Sequence, residues 1–287
     1  MKKNISESKL VGLIGYPIKH SLSPLIFNSI FKEKNMNWKY TLLSPKNEKE
    51  LQIELKKIRD SKWRGFNVTM PYKESIVKFL DELDLSTKVI GAVNLVSLQR
   101  KHFKGYNTDG IGLVNFLKNR ENIQLEKKRI LVIGAGGAAK SSIVSLISEN
   151  VKEVLIVNRT IKKARFIKES LKKYNKTVII SIGNVKDIAG EVGNYDLVIN
   201  ATPCGMGNLE NVYPIPENAM ESLSKRQIVL DMVYEPEETV FLKKAKVKGA
   251  KVFNGVGMLI YQAAHSFKLW TNEEAPIEFM FKVIDAK

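Results

Sequence analysis

Residues 129–149 read RILVIGAGGAAKSSIVSLISE. After Arg129, residues 130–133 form a short apolar run that suits a buried strand, and from Gly137 onward apolar residues recur at helical spacing. Between them, Gly134-Ala135-Gly136-Gly137-Ala138-Ala139 fits the pattern G-x-G-x-x-G/A. Gly134 suits a tight turn, Gly136 lets a backbone approach a pyrophosphate, and the small Ala139 permits close helix–strand packing. The helix start adds amides without internal acceptors and the positive end of a dipole. A glycine pattern alone is weak evidence. Framed by strand, helix and a further strand, it predicts a dinucleotide site built on Gly134, Ala135, Gly136, Gly137 and Ala138.

The next strand, EVLIVNR, refines the cofactor. Twenty-four residues past Gly134 it ends in Asn158-Arg159-Thr160, with Lys163 one turn further on. An NAD site usually carries Asp or Glu here for the ribose hydroxyls. A guanidinium, a hydroxyl and an ammonium instead suit a 2′-phosphate, so NADP(H) is expected. Lys lacks the bidentate fork of Arg, which makes Arg159 the stronger determinant. A third strand, YDLVINAT, runs into a loop with Ala201, Thr202, Pro203 and Cys204 that should border the cofactor. Cys204 has no activating neighbour in the pattern and reads as incidental.

Strand and helix patterns alternate outward in both directions. Upstream lie VGLIGY, a helix behind Ser23 and Pro24 read as N-cap and N1, WKYTLLS, a helix over 48–59, and GFNVTM. A helix over YKESIVKFLDEL, a hairpin of AVNLVSL and HFKGYN, and a helix from Asp109 follow. Downstream come IKKARFIKESLKKY as a helix, TVIISI and QIVLDMVY as strands, KVFNG, and two final helices. This predicts an α/β protein of two α/β domains with largely parallel sheets, the second Rossmann-like and inserted into the first. The expected boundaries are 1–109 plus 252–287, and 110–251.

Composition is that of a globular chain: 287 residues, 44% hydrophobic and 26% charged. No apolar run approaches the roughly 18 residues that span a bilayer, and the polar N-terminus does not read as a secretory signal. The single cysteine suits a reducing, cytoplasmic setting. The three histidines, His20, His102 and His265, have no ligand spacing, so no metal is expected. The net charge of +16 invites a nucleic-acid reading. The excess is mostly Lys, however, interleaved with apolar residues at helical spacing, and reads as a solvated surface.

Several polar residues stand at or beside predicted strand ends: Ser21, Ser23, Asn67, Thr69, Lys73, Asn94, Asn107, Thr108 and Asp109. Singly each has a bland explanation, such as N-capping for Ser23 and Asp109 or a solvated first turn for Lys73.

Together, SLSP, NVTMPYK, GAVN, GYNTDG, GAGGAAK, NRT, NAT-x-x-GM, DMVY and GVGMLIYQ occur in an order that resembles the shikimate/quinate dehydrogenase family, over about 12–276. The resemblance implies a substrate domain completed by the C-terminal helices, an inserted NADP domain, and reversible reduction of 3-dehydroshikimate to shikimate. It implies that Ser21, Ser23 and Tyr234 meet the substrate carboxylate. Thr69, Asn94, Asp109 and Gln262 would grip ring hydroxyls, while Lys73 and Asp109 flank the reacting oxygen. Gly255 and Met258 would line the nicotinamide side. The sequence departs from the family at Pro203, Leu95, Lys163 and Asn254, where Ser, Thr, Arg and Asp are common. Three alternatives stay open: an NAD-preferring quinate/shikimate dehydrogenase, a non-catalytic NADP-binding protein, and a nucleic-acid-binding module. Expected partners are a small-molecule substrate, with no nucleic acid and no membrane, in a monomer or homodimer.

Overall fold

The structure is a computed structural model that describes residues 8–175 and 177–287. The chain forms two compact units. One holds the described residues up to Thr108 together with Ile260–Lys287, and the other is Asp109–Leu259.

The first unit contains β1 (Lys9–Ile14), α1 (Ser23–Glu33), β2 (Trp38–Leu43), α2 (Glu48–Arg59), β3 (Gly65–Val68), β4 (Glu82–Leu83), α3 (Leu85–Ile90), β5 (Leu95–Gln99) and β6 (His102–Tyr106). Its sheet runs β2-β1-β3-β5-β6-β4. β1 lies parallel to both β2 and β3, whereas β5 is antiparallel to β3 and β6. The predicted hairpin is therefore present. Its two turn residues, Arg100 and Lys101, both have positive φ, which matches the right-handed twist of the paired strands. Helix α2 spans the predicted residues because its start is closed reciprocally. The Asn47 side chain accepts from the Glu50 amide at 3.0 Å, and the Glu50 carboxylate accepts from the Lys46 amide at 2.8 Å.

Two local expectations are corrected. The cap of α1 is Leu22, and Ser23 is already helical. The Ser21 hydroxyl instead accepts from the Ser23 amide at 3.3 Å. The helix expected over YKESIVKFLDEL is only a 3₁₀ turn, Ser75–Phe79, followed by β4. There the Asp81 carboxylate accepts from the Phe103 amide at 2.7 Å and pairs with Arg59 at 3.0 Å. Those bonds draw the chain onto the sheet edge, and β4 then pairs with β6.

The second unit begins with α4 (Asp109–Asn115), which continues as a π-helical turn, Phe116–Arg120. Its strands are β7 (Arg129–Ile133), β8 (Glu153–Val157), β9 (Ile179–Gly183), β10 (Leu197–Asn200), β11 (Ile228–Asp231) and β12 (Lys251–Phe253). Its helices are α5 (Gly137–Ile147), α6 (Ile161–Leu171) and α7 (Val240–Val247), and α8 (Val256–Thr271) starts here. The sheet is wholly parallel in the order β12-β11-β10-β7-β8-β9, the doubly wound dinucleotide-binding topology with its switch point between β7 and β10. Short 3₁₀ turns rather than α-helices lead from β9 to β10 and on to β11. Val185, Val192, Ala219 and Met220 from these turns are buried against the sheet.

β12 pairs with β11, so the chain remains in the second unit past residue 251 and leaves it within α8. The rest of α8 and α9 (Ile277–Asp285) belong to the first unit. There the Trp270 indole donates to the Val96 carbonyl at 3.1 Å and packs on Phe27, while Phe27 stacks on Tyr40 at 4.5 Å. Burial of these rings explains why a distant C-terminal segment packs into the first unit. No described helix is long and apolar enough to cross a membrane.

Candidate active site

In the second unit, β7 is followed by Gly134, whose φ of +112° is open to glycine and strained for other residues. A Cβ there would lie 3.0 Å from both the Ala201 carbonyl oxygen and the Thr202 methyl, so the first turn sits directly against the loop after β10. That pair of loops flanks the switch point, where open α/β sheets bind ligands. Gly136 caps α5 in extended conformation with open space beside it. The amides that follow are the ones a helix leaves without internal acceptors, a cradle fitted to a pyrophosphate.

At the end of β8 the Asn158 side chain donates to the Thr160 carbonyl at 2.9 Å, closing a small turn. Thr160 caps α6 by position without a side-chain bond, which leaves its hydroxyl outside the cap. Arg159, Thr160 and Lys163 are all exposed on this turn and the helix start. Their donor chemistry fits a phosphate ester. In the loop after β10, the Thr202 hydroxyl donates to Asn200 Oδ1 at 2.7 Å and accepts from the Cys204 amide at 3.2 Å. Cys204 thus contributes backbone to the loop's closure. After β11, Tyr234 is partly buried, which pushes its phenol upward, with Glu235 adding to the effect. Gly255 and Met258 are buried at the start of α8. Asn254 braces that start, donating to the Glu237 carbonyl at 3.0 Å and accepting from the Val256 amide at 3.1 Å. An amide can do both, which accounts for Asn in place of Asp.

In the first unit, Thr69 follows β3, where its amide donates to Ile14 at 2.9 Å and its carbonyl accepts from Tyr72 at 3.0 Å. This turn delivers Lys73, whose carbonyl accepts from the Val93 amide at 2.7 Å. Asn94 is 2% exposed. Its Oδ1 accepts from the Thr108 amide at 2.8 Å, and its Nδ2 reaches Thr108 Oγ1 at 3.1 Å and Gln262 Oε1 at 3.5 Å. The structure therefore brings Asn94, Thr108 and Gln262 together. Asp109 is buried as the first residue of α4, not as a cap before it. Close packing fixes that helix start: the Gly110 amide donates to Ser141 Oγ at 2.8 Å, and a Cβ on Gly110 would lie 2.1 Å from the Ser141 carbonyl oxygen. Lys73 belongs to the first unit, and Asp109 and Tyr234 belong to the second.

Sequence reasoning missed Tyr40 and Ser266, which complete the polar floor of the first unit. The Tyr40 hydroxyl donates to Asn67 Oδ1 at 3.0 Å and also engages Ser23, while full burial drives the phenol far above its usual range. Asn67 Nδ2 donates to Ser266 Oγ at 2.9 Å and to the Asn94 carbonyl at 3.2 Å. Ser266 lies one helical turn after Gln262, so i,i+4 spacing was the available signal. Tyr40 sits in a strand with no such marker. Among the described residues, no group of three or more His, Cys, Asp or Glu side chains could hold a metal ion.

Three family models match successive parts of the chain. The shikimate dehydrogenase substrate-binding domain covers 13–96, shikimate/quinate 5-dehydrogenase covers 117–232, and the shikimate 5′-dehydrogenase C-terminal domain covers 255–284. The chain belongs to the shikimate dehydrogenase family. A shikimate dehydrogenase (NADP⁺) from Methanococcus maripaludis is 42% identical over 284 residues, covering 98% of this chain and 99% of the relative. Among solved structures, a shikimate dehydrogenase in complex with NADP⁺ superposes with a TM-score of 0.88 at 39% identity, covering 97% and 96% of the two chains. The Listeria monocytogenes shikimate 5-dehydrogenase, in complex with shikimate and NAD, gives 0.89 at 30% identity and 99% coverage of both. Within this family assignment, Asp109 and Tyr234 fall in the intervals between matched segments. The full-length relative spans both.

Proposed function

We propose that this chain catalyses the reversible, NADP-dependent reduction of 3-dehydroshikimate to shikimate, an oxidoreductase step in chorismate and aromatic amino-acid biosynthesis. The observation that carries this reading is the polar cluster beside the end of β3. Thr69 and Lys73 follow the strand, and Asn94 and Gln262 lie 3.5 Å apart in the same unit. A hydroxyl, an amine and two amides are the donor and acceptor set that a polyhydroxylated ring requires.

In this reading the first unit binds the substrate and the second binds NADP. Ser21, Ser23 and Tyr234 hold the carboxylate, while Thr69, Asn94, Asp109 and Gln262 hydrogen-bond the ring hydroxyls. Amides of Gly134, Ala135, Gly136, Gly137 and Ala138 take the pyrophosphate, and Asn158, Arg159, Thr160 and Lys163 take the ribose phosphate. Ala201, Thr202, Gly255 and Met258 border the nicotinamide. Bound NADPH supplies the hydride that reduces the ketone. Lys73, as an ammonium, stabilises negative charge growing on the ketone oxygen and delivers the proton. Asp109 accepts a hydrogen bond from the hydroxyl that the same oxygen becomes. In the oxidation of shikimate Lys73 takes the proton back.

The remaining partner assignments follow from chemistry. Surface lysines pair with local carboxylates, as in Lys57–Glu54 at 2.7 Å and Lys118–Glu149 at 2.6 Å, which favours a solvated surface over a nucleic-acid interface. A reducing, cytoplasmic setting suits a chain with one cysteine. Initial rates with shikimate and quinate, each against NADP and NAD, test the proposal. Shikimate with NADP should give the highest kcat/KM. A large advantage for NAD would move the chain to the NAD-preferring quinate/shikimate class, and absence of turnover would leave only a binding role.

A further inference from the structure

One buried carboxylate has no part in the chemistry above. Asp231, the last residue of β11, is 0% exposed. Its Oδ1 accepts from Asn200 Nδ2 at 2.9 Å and from the Val233 amide at 3.0 Å, and its Oδ2 accepts from the Thr239 hydroxyl at 2.7 Å. Each partner anchors a different segment. Asn200 Oδ1 holds both the amide and the hydroxyl of Thr202, at 3.0 and 2.7 Å, and Asn200 Nδ2 also donates to the Cys204 carbonyl at 3.0 Å. Val233 precedes Tyr234, and its carbonyl accepts from the Gly255 amide at 3.0 Å. Thr239 caps α7 by accepting from the Leu242 amide at 3.3 Å.

One side chain thus fastens the loop of Ala201 and Thr202, the segment of Tyr234 and, through Val233, the start of α8. A carboxylate in a dry site is costly to keep charged, and burial pushes Asp231 up to about 6. Its several acceptor sites let it bind three donors that diverge from one strand end.

We propose that Asp231 is a positioning residue that holds the cofactor-side loop and the Tyr234 segment in one fixed arrangement, so that both ligands depend on it although it touches neither. The inference rests on the roles assigned to Thr202 and Tyr234 above. Asn at 231 can keep the Asn200 and Val233 bonds through its oxygen and turn its NH₂ toward Thr239. Ala keeps none.

The test is steady-state kinetics and calorimetric binding of NADP⁺ and shikimate to the whole chain. Asp231→Ala should raise KM for both ligands on the order of 10-fold or more, with a smaller change in kcat. Asp231→Asn should bring both KM values back to within about threefold of the parent. In a Tyr234→Phe background the shikimate penalty of Asp231→Ala should shrink, because the two residues act through one contact. Equal penalties in both backgrounds, or unchanged KM values in Asp231→Ala, overturn the proposal. Should Asp231→Ala fail to fold, Thr239→Val removes one anchor at similar volume. A rise in both KM values supports the proposal, and no rise overturns it. An unsubstituted chain that binds neither ligand contradicts the functional reading itself, a separate result.

Discussion

Asn94 and Gln262 lie 168 residues apart in sequence, yet Asn94 Nδ2 and Gln262 Oε1 are 3.5 Å apart in the buried floor of the first unit. The distance is long for a firm hydrogen bond, and the proposed function assigns both amides to ring hydroxyls of the substrate. Gln262→Leu should therefore raise KM for shikimate about 10-fold while KM for NADP stays near its original value. Asn94→Ala should do more. It strips the Thr108 amide of its acceptor and should also lower the unfolding free energy by about 1–3 kcal/mol in urea titrations.

Lys73 is the assigned proton donor, and its loss should appear in the chemical step. Lys73→Ala should lower kcat by about 10²–10⁴ with a smaller change in KM for shikimate. An unchanged kcat would remove Lys73 from that role.

Arg159 is exposed beside the turn closed by Asn158 and Thr160, where its charge can serve a ligand at little cost to the fold. Arg159→Ala should raise KM for NADP about 10-fold or more and leave KM for NAD nearly unaltered. Equal losses with both cofactors would place Arg159 outside 2′-phosphate recognition.

The second unit was legible because its signals are local. Strands such as Arg129–Ile133 and Glu153–Val157 are apolar after one charged first residue, and the glycine turn after Ile133 falls where a parallel sheet needs it. The first unit was less so where tertiary bonds decide. Asp81 pulls a helix-like segment onto the sheet edge, and Leu22 rather than Ser23 caps α1. Candidate site residues with motif spacing could be named from the sequence. Tyr40, Ser266 and Asp231 were not assigned, because their importance lies in bonds to residues far along the chain. Likewise β12 ends in the second unit because of its pairing with β11, which no local pattern in KVFNG encodes.

Asp231 also sets a pH dependence of stability. Burial raises it from 3.8 to about 6, so between those values the folded chain holds a proton that the unfolded chain has released. Stability from this group is fully present below about 4 and falls as pH rises toward 6, by about 3 kcal/mol in all. Asp231→Asn lacks the ionisation. Relative to the parent, its unfolding free energy should rise between pH 4 and pH 7 by up to about 3 kcal/mol. An identical difference at both pH values would show that Asp231 ionises without cost.

Whether Lys73 and Asp109 act on one substrate oxygen is decided by a crystal structure with both shikimate and NADP bound. Lys73 Nζ and an Asp109 carboxylate oxygen should each lie within about 2.6–3.2 Å of the same hydroxyl, on the carbon facing the nicotinamide. Finding either side chain on a surface away from that hydroxyl would contradict it.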